Sequence, residues 1–351
     1  MGANSFISNF KIFLKGIIFL AGAVVLLYYV GEHYEEVANR NEGVPFAVRR
    51  FNEFYEQERN SIDMVFIGSS HSYCTFDPEI FDSALETSSF QMGTPLQYPA
   101  TSYYVLKEVL NYQEPSIVVF EIYWDMIDES FNLLQADWFL EALQSETLEE
   151  EYINEVFPIE ERIKYHTNII RYQGDVISYY DRELKELAQD YRRKVPEEET
   201  RREGTEYYRS KGYAYADYVI PEEQMGRDNQ FYGFDGKDWD IHEVQLDYIE
   251  KFIDLARANN IELIFVTAPV ANVSMEMIVN YDVIYESIKR LSEEHNVPYI
   301  DYNIVNMEEG LLENKHFRDD AHLNHSGVEI VDAHFINWML ENELLESVLD
   351  R

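Results

Sequence analysis

Short, nearly unbroken apolar runs alternate along this chain with longer stretches in which apolar residues recur every three or four positions. Ile62–Gly68 (IDMVFIG), Ile117–Trp124 (IVVFEIYW) and Ile261–Ala268 (IELIFVTA) are of the first kind. Runs with no polar alternation predict strands buried on both faces, as in the middle of a parallel sheet. Ser89–Met92 and Pro298–Tyr302 read as two shorter strands. Between them the spacing turns helical: Pro95–Tyr112 sets Val105, Leu106, Val109 and Leu110 on one side, and Ile241–Asn259 and the stretch ending at His295 obey the same rule. A last helix is predicted from Ser326, with Ser326 and Glu329 as a capping-box pair and Val328, Val331, Phe335 and Trp338 as its apolar face. This alternation predicts an α/β fold in which a parallel sheet is covered by helices on both faces.

The rhythm fails in two places. From Met126 to Asp240 no strand run is evident; acidic helical patterns and a Tyr-rich stretch, Tyr207–Tyr218, predict an inserted helical subdomain over residues 126–240. At the amino end, Gly16–Val30 (GIIFLAGAVVLLYYV) is apolar throughout, and Ile12, Phe13 and Leu14 extend it if Lys15 snorkels toward headgroups. The residues after this run are bulky and charged rather than small-x-small, which argues for an uncleaved anchor over a signal peptide. Lys11 and Lys15 precede the run and Glu32, Glu35 and Glu36 come after it, so the basic end is expected in the cytoplasm and the remainder outside. The expected organisation is a tip and anchor at 1–31, a stalk at 32–60 and an α/β domain at 61–347.

The charge balance narrows the partners. With 28 Lys+Arg against 66 Asp+Glu in 351 residues, the net charge of −38 repels a polyanion, so nucleic acid is not an expected ligand. Cys74 is the single cysteine, which excludes an intrachain disulfide and a cysteine-built zinc cage. Between Arg59 and Arg162 the only cationic side chain is Lys107, so that half of the chain offers no clamp for phosphate and suits a neutral sugar hydroxyl or acyl group better.

Candidate chemistry sits in two loops far apart in sequence. The first, Gly68-Ser69-Ser70-His71, leaves the first predicted strand, and open parallel sheets bind ligands at the carboxyl ends of their strands. Ser70 would stand there as a nucleophile, although an ordinary polar turn would read the same way. The second, Phe317–Gly327, precedes the last helix and holds Asp319 and His322 three residues apart. A serine hydroxyl needs a base, and the base needs a third group to fix its tautomer; Asp319 and His322 fit those roles. Asp320 is a second possible acid, with the spacing favouring Asp319. A metal site built from His316, Asp319, His322 and His325 is the alternative reading of the same density of ligands. No metal or cofactor is expected.

Together, the Gly-x-Ser after the first strand, the Gly after the second and the Asp-x-x-His before the last helix resemble the SGNH (GDSL-like) hydrolases, in particular their membrane-anchored bacterial acyltransferase-like branch. The similarity covers roughly 62–123 and 241–338. It implies a flavodoxin-like three-layer fold, with Ser70 as nucleophile, His322 as base, Asp319 as its orienter, and the backbone N–H groups of Ser70 and Gly93 as an oxyanion hole. The run Phe-Gln-Met-Gly-Thr-Pro-Leu-Gln at 90–97 is similar to the same stretch in proteins that act beside membrane-bound O-acyltransferases in decorating cell-surface polymers. The family's third block supplies an Asn, whereas this strand ends Glu121-Ile122-Tyr123-Trp124; Gln97 is a candidate substitute. Tyr123 and Trp124 are candidates for stacking on a sugar, and Arg318 for meeting an anionic group at the pocket mouth. Two functions are open: an exported serine-dependent O-acyltransferase or esterase, or a non-catalytic subunit of a membrane acyl-export complex that keeps the fold.

Overall fold

The computed structural model describes residues 2–38, 45–180, 202–203, 206–227 and 229–346. Its chain-order elements begin with α1 (Gly2–Ala38), α2 (Phe46–Tyr55), β1 (Met64–Ile67), α3 (Ser70–Thr75), α4 (Pro78–Leu85), β2 (Ser89–Gln91), α5 (Pro99–Tyr112) and β3 (Ile117–Glu121). The insertion contributes α6 (Leu133–Ala142), α7 (Glu146–Val156), α8 (Ile159–Tyr165), α9 (Asn168–Arg171), β4 (Arg202–Glu203), β5 (Glu206–Tyr208), β6 (Ala214–Tyr215) and α10 (Glu222–Arg227). The chain closes with α11 (Glu243–Ala258), β7 (Glu262–Thr267), α12 (Asn272–Met275), α13 (Tyr281–His295), β8 (Tyr299–Asp301), α14 (Tyr302–Glu309) and α15 (His325–Glu341).

Five strands form one parallel sheet in the order β2-β1-β3-β7-β8. This is the flavodoxin-like order, and it reverses between β1 and β3, which places a switch point at their carboxyl ends. Successive side chains of a strand point to opposite faces. Met64 and Phe66 of β1, with Ile117, Val119, Ile264 and Val266, meet Phe76, Phe81, Val328, Val331 and Phe335 from α3, α4, α15 and their connections. On the opposite side Phe120 stacks on Phe252 of α11, with ring centroids 4.4 Å apart. Buried runs without alternation are therefore two-faced strands, as the sequence pattern implies.

Contacts divide the chain into two compact units, Met1–Gly43 with Tyr152–Val195, and Val44–Glu151 with Pro196–Arg351. In the first, α1 presents one helix, Phe10–Ala38, long and apolar enough to cross a membrane, and its most apolar window is not buried against protein. Beyond the apolar run, Gly31 allows a close approach: a Cβ there would lie 3.2 Å from that of Asn168, whose amide donates to Glu35 Oε2 at 2.8 Å.

Three expectations change. The stalk assigned to 32–60 includes α2, which packs in the second unit through Phe46, Ala47, Arg50, Phe51 and Phe54. The insertion is not wholly helical, because β4, β5 and β6 make an antiparallel three-stranded sheet. The last helix is capped by Asn324, whose Oδ1 accepts from the Gly327 N–H at 3.3 Å and from Ser326 Oγ at 2.6 Å. Ser326 thus lies inside the first turn rather than at its cap.

Candidate active site

β1 ends at Ile67, and the chain turns through Gly68 and Ser69 so that Ser70 opens α3. Glycine is required at 68: a Cβ would fall 2.6 Å from both Cβ and Oε2 of Glu121. Ser69 caps the helix, its Oγ accepting from the His71 N–H at 3.1 Å. The same hydroxyl donates to Glu121 Oε2 at 2.9 Å, and the Ser69 N–H donates to that oxygen at 2.8 Å. Ser70 is left half-buried.

The loop before α15 comes to meet it. His322 Nε2 lies 2.9 Å from Ser70 Oγ, and His322 Nδ1 lies 3.1 Å from each oxygen of Asp319. Asp319 Oδ1 also accepts from the N–H groups of Ala321, at 2.8 Å, and His322, at 2.7 Å. Burial alone would raise the Asp319 pKa, but the charge and hydrogen bond of His322, the Arg318 guanidinium and the Ala321 amide outweigh it and hold the carboxyl well below the usual range. A carboxylate on Nδ1 fixes the neutral tautomer with its proton there, leaving Nε2 as the acceptor facing Ser70.

Gly93 lies directly against the nucleophile turn: a Cβ on it would be 2.8 Å from the Gly68 carbonyl oxygen and 3.0 Å from that of Ser69. Among the described residues neither the Ser70 N–H nor the Gly93 N–H donates to a protein acceptor. Two unspent donors beside a serine hydroxyl are what a developing oxyanion requires.

No family model matches the chain, and no curated protein matches it. Solved structures do. One is a GDSL-like lipase from Bacteroides thetaiotaomicron VPI-5482, at 12% identity and a TM-score of 0.38, covering 85% of this chain and 99% of its own. Another, from Bacteroides fragilis NCTC 9343 and provisionally described as an acylhydrolase, has 13% identity and a TM-score of 0.37, with 88% and 98% covered. At such values the chemistry must be read from this site's own geometry.

Several candidates are placed differently from expectation. Gln97 is committed to a local cap: its Oε1 accepts from the Thr94 N–H at 2.8 Å and Oγ1 at 2.9 Å, and its Nε2 donates to Ser102 Oγ at 2.9 Å. It is not a free stand-in for the missing Asn. Trp124 is fully buried among Phe231, Phe234 and Tyr281, so it is a core residue and not a sugar platform. Tyr123 is also buried, stacked on His71 with centroids 3.9 Å apart, and His71 in turn lies 4.7 Å from the His322 ring. Arg318 is buried rather than at a mouth; it pairs with Glu206 and approaches Asp319 Oδ2 at 3.5 Å. Asp320 accepts from the Gln230 backbone and side chain instead of from a histidine. His316 accepts from the Glu313 N–H and His325 meets the Tyr213 hydroxyl; among the described residues no three His, Cys, Asp or Glu are grouped to hold a metal.

Three residues beside the site fall outside the sequence candidates. Glu121 takes the position where the resemblance leads one to look for Asn, and burial pushes its pKa up to about 7 against the two Ser69 hydrogen bonds. His71 is fully enclosed, and burial, with the neighbouring His322 charge, holds it well below the usual histidine range and so uncharged. Arg50 donates from Nη1 to the Gly93 carbonyl at 2.7 Å. The sequence does carry a signal for it: Phe46, Ala47, Arg50, Phe51 and Phe54 share one face at helical spacing, and a lone cation on an apolar face needs an internal partner.

Proposed function

We propose that this protein is a serine-dependent acyl-transfer enzyme, an O-acyltransferase or carboxylesterase, whose nucleophile is Ser70. The observation that carries the reading is the continuous line from Ser70 Oγ through the His322 ring to the Asp319 carboxylate. As Ser70 attacks the acyl carbonyl, His322 Nε2 takes the hydroxyl proton and Asp319 stabilises the imidazolium. The tetrahedral oxygen receives the Ser70 and Gly93 N–H groups. His322 then returns the proton to the leaving alcohol, and an acyl-Ser70 ester remains. A second alcohol or water, deprotonated by His322, attacks that ester and releases Ser70. The apolar span and its basic flank support a site facing outward, with acyl groups on a cell-surface or exported polymer as substrate and a membrane-bound O-acyltransferase as a partner.

One observation favours a second reading, a non-catalytic subunit of such a complex: β3 ends in Glu121 where an Asn donor would stand, and Gln97 is engaged elsewhere. A fluorophosphonate separates the two. The enzyme reading expects the full-length protein in mild detergent to gain one adduct mapped to Ser70, lost in Ser70→Ala with little change in melting temperature. Absence of any adduct under conditions that label a control serine hydrolase would favour the subunit.

A further inference from the structure

The β5–β6 hairpin of the insertion is tied to both halves of the site by buried arginines. On one side, Arg50 is completely buried with its guanidinium 4.2 Å above the Tyr73 ring. Its Nε donates to the carbonyl of Gly212, in the hairpin turn, at 2.8 Å, while Nη1 holds the Gly93 carbonyl at 2.7 Å. Gly212 has φ +85°, and a Cβ there would fall 2.4 Å from the Gln91 carbonyl oxygen, so only glycine lets the turn come this close. The hairpin also adds to the β2 edge, where the Gln91 N–H donates to the Lys211 carbonyl at 2.9 Å. On the other side, Glu206 of β5 pairs with Arg318, whose Nε faces Asp319 Oδ2.

Gly93 has no side chain to hold its peptide, so its N–H is aimed by what pins its neighbours. The Met92 N–H is held by the Phe66 carbonyl at 2.8 Å, and the Thr94 N–H by that of Gly68 at 3.1 Å. The Gly93 carbonyl between them is held by Arg50 alone among the described residues. On the acid side, Glu206 shares the Arg318 charge. Without that share, Arg318 would bear fully on the carboxylate that orients His322.

We infer that the β5–β6 hairpin is a positioning element of the acyl-transfer site, acting through Arg50 on the Gly93 peptide and through Glu206 and Arg318 on Asp319. This rests on the enzyme reading above for its kinetic consequences, but not for its structural ones. Arg50 and Glu206 are positioning residues. Lysine at 50 keeps the charge but cannot reach two carbonyls as a fork.

The test uses full-length protein in mild detergent, with Arg50→Lys and Glu206→Gln compared with wild type by hydrogen–deuterium exchange and by hydrolysis of p-nitrophenyl acetate. Arg50→Lys is expected to speed exchange in 90–97 while leaving β3 and β7 protected, and to lower kcat roughly 10- to 100-fold with KM little changed. Glu206→Gln takes from Arg318 its carboxylate partner on the hairpin, so exchange in 316–324 is expected to quicken and kcat for the ester to fall with KM little changed. Unchanged exchange in 90–97 for Arg50→Lys overturns the inference whatever the activity. Loss of protection spread through β3 and β7 also overturns it, because the arginine would then be a general strut. Should Arg50→Lys fail to fold, faster exchange in 316–324 confined to that segment in Glu206→Gln supports the inference and its absence overturns it. A wild type inert to ester and fluorophosphonate, with the local exchange change present, removes the enzyme reading and leaves the positioning role standing.

Discussion

Replacing Glu121 by Gln is expected to remove a loss of stability that the wild type undergoes between about pH 4.5 and pH 7. The carboxyl is fully enclosed beneath the nucleophile turn, and burial raises its pKa from 4.5 to about 7 although Ser69 donates twice to Oε2. Below pH 4.5 the group carries its proton in both the folded and the unfolded chain and contributes no pH dependence. Between the two values the unfolded chain releases the proton and the folded chain keeps it, so stability falls as pH rises. Above pH 7 both are ionised and the loss is complete. A separation of roughly 2.5 pKa units corresponds to about 3 kcal/mol. Glutamine keeps an oxygen for both Ser69 donors, and its amide replaces Oε1, an oxygen that has no hydrogen-bond partner among the described residues. That unpaired amide costs roughly 1–3 kcal/mol at every pH. The offset between the proteins is therefore uninformative and the divergence with pH is the signal. Thermal unfolding of full-length protein in mild detergent at a series of pH values between 4.5 and 8 measures it. At roughly 2 °C per kcal/mol for a unit of this size, the gap in Tm between variant and wild type should shift in the variant's favour by about 6 °C. Parallel curves would refute the claim that Glu121 is buried as an acid.

Two further outcomes are expected. Asp319→Asn should lower kcat for ester hydrolysis roughly 10³- to 10⁴-fold, because an amide no longer fixes the His322 tautomer; a loss under tenfold would remove Asp319 from the orienting role. It should also remove a stabilisation that the wild type has above the ordinary carboxylate pKa and loses as pH falls toward the lowered folded value, visible as acid unfolding curves that converge at low pH. If the proposed orientation, with the basic flank of Lys11 and Lys15 inside, is right, a reporter joined after Asn41 should be active only if it is one that works outside the cytoplasm. Activity of the cytoplasmic reporter alone would overturn the orientation and with it the surface-polymer substrate.

The sequence makes legible whatever repeats or punctuates. β1, β3 and β7 stand out because two-faced burial leaves an unbroken apolar run, and Ser70 and His322 because both lie where such a run or a helix begins or ends. The β5–β6 hairpin escapes the pattern because its strands are two and three residues long and its tyrosines serve contacts with α2 and α15 rather than an alternating face. Trp124 and Arg318 read as ligand-facing from their place beside site residues. Their burial is decided by partners a hundred or more residues away, Phe231 and Tyr281 for one and Glu206 for the other, which no local pattern carries. The cap of the last helix falls on Asn324 instead of Ser326 for a smaller reason: both residues can cap, and only the backbone angles of the entry turn choose between them.

The charges around the site derive from the same placement. A chain with a net charge of −38 would be expected to draw cationic ligands to its clefts, yet both arginines in contact with the site loops are internal structural groups. Arg50 is used on carbonyls and Arg318 on carboxylates, so neither is presented to an anionic substrate. His71, the ring stacked beside His322, is uncharged, and Glu121 is neutral below about pH 7. Asp319 carries its charge toward the imidazole of His322. On the proposed acyl-transfer reading, the developing charge would be met by backbone N–H groups and by His322 rather than by a fixed cation. This arrangement suits an uncharged acyl ester and its alcohol better than a phosphoryl group, which would demand the cations the site has turned inward.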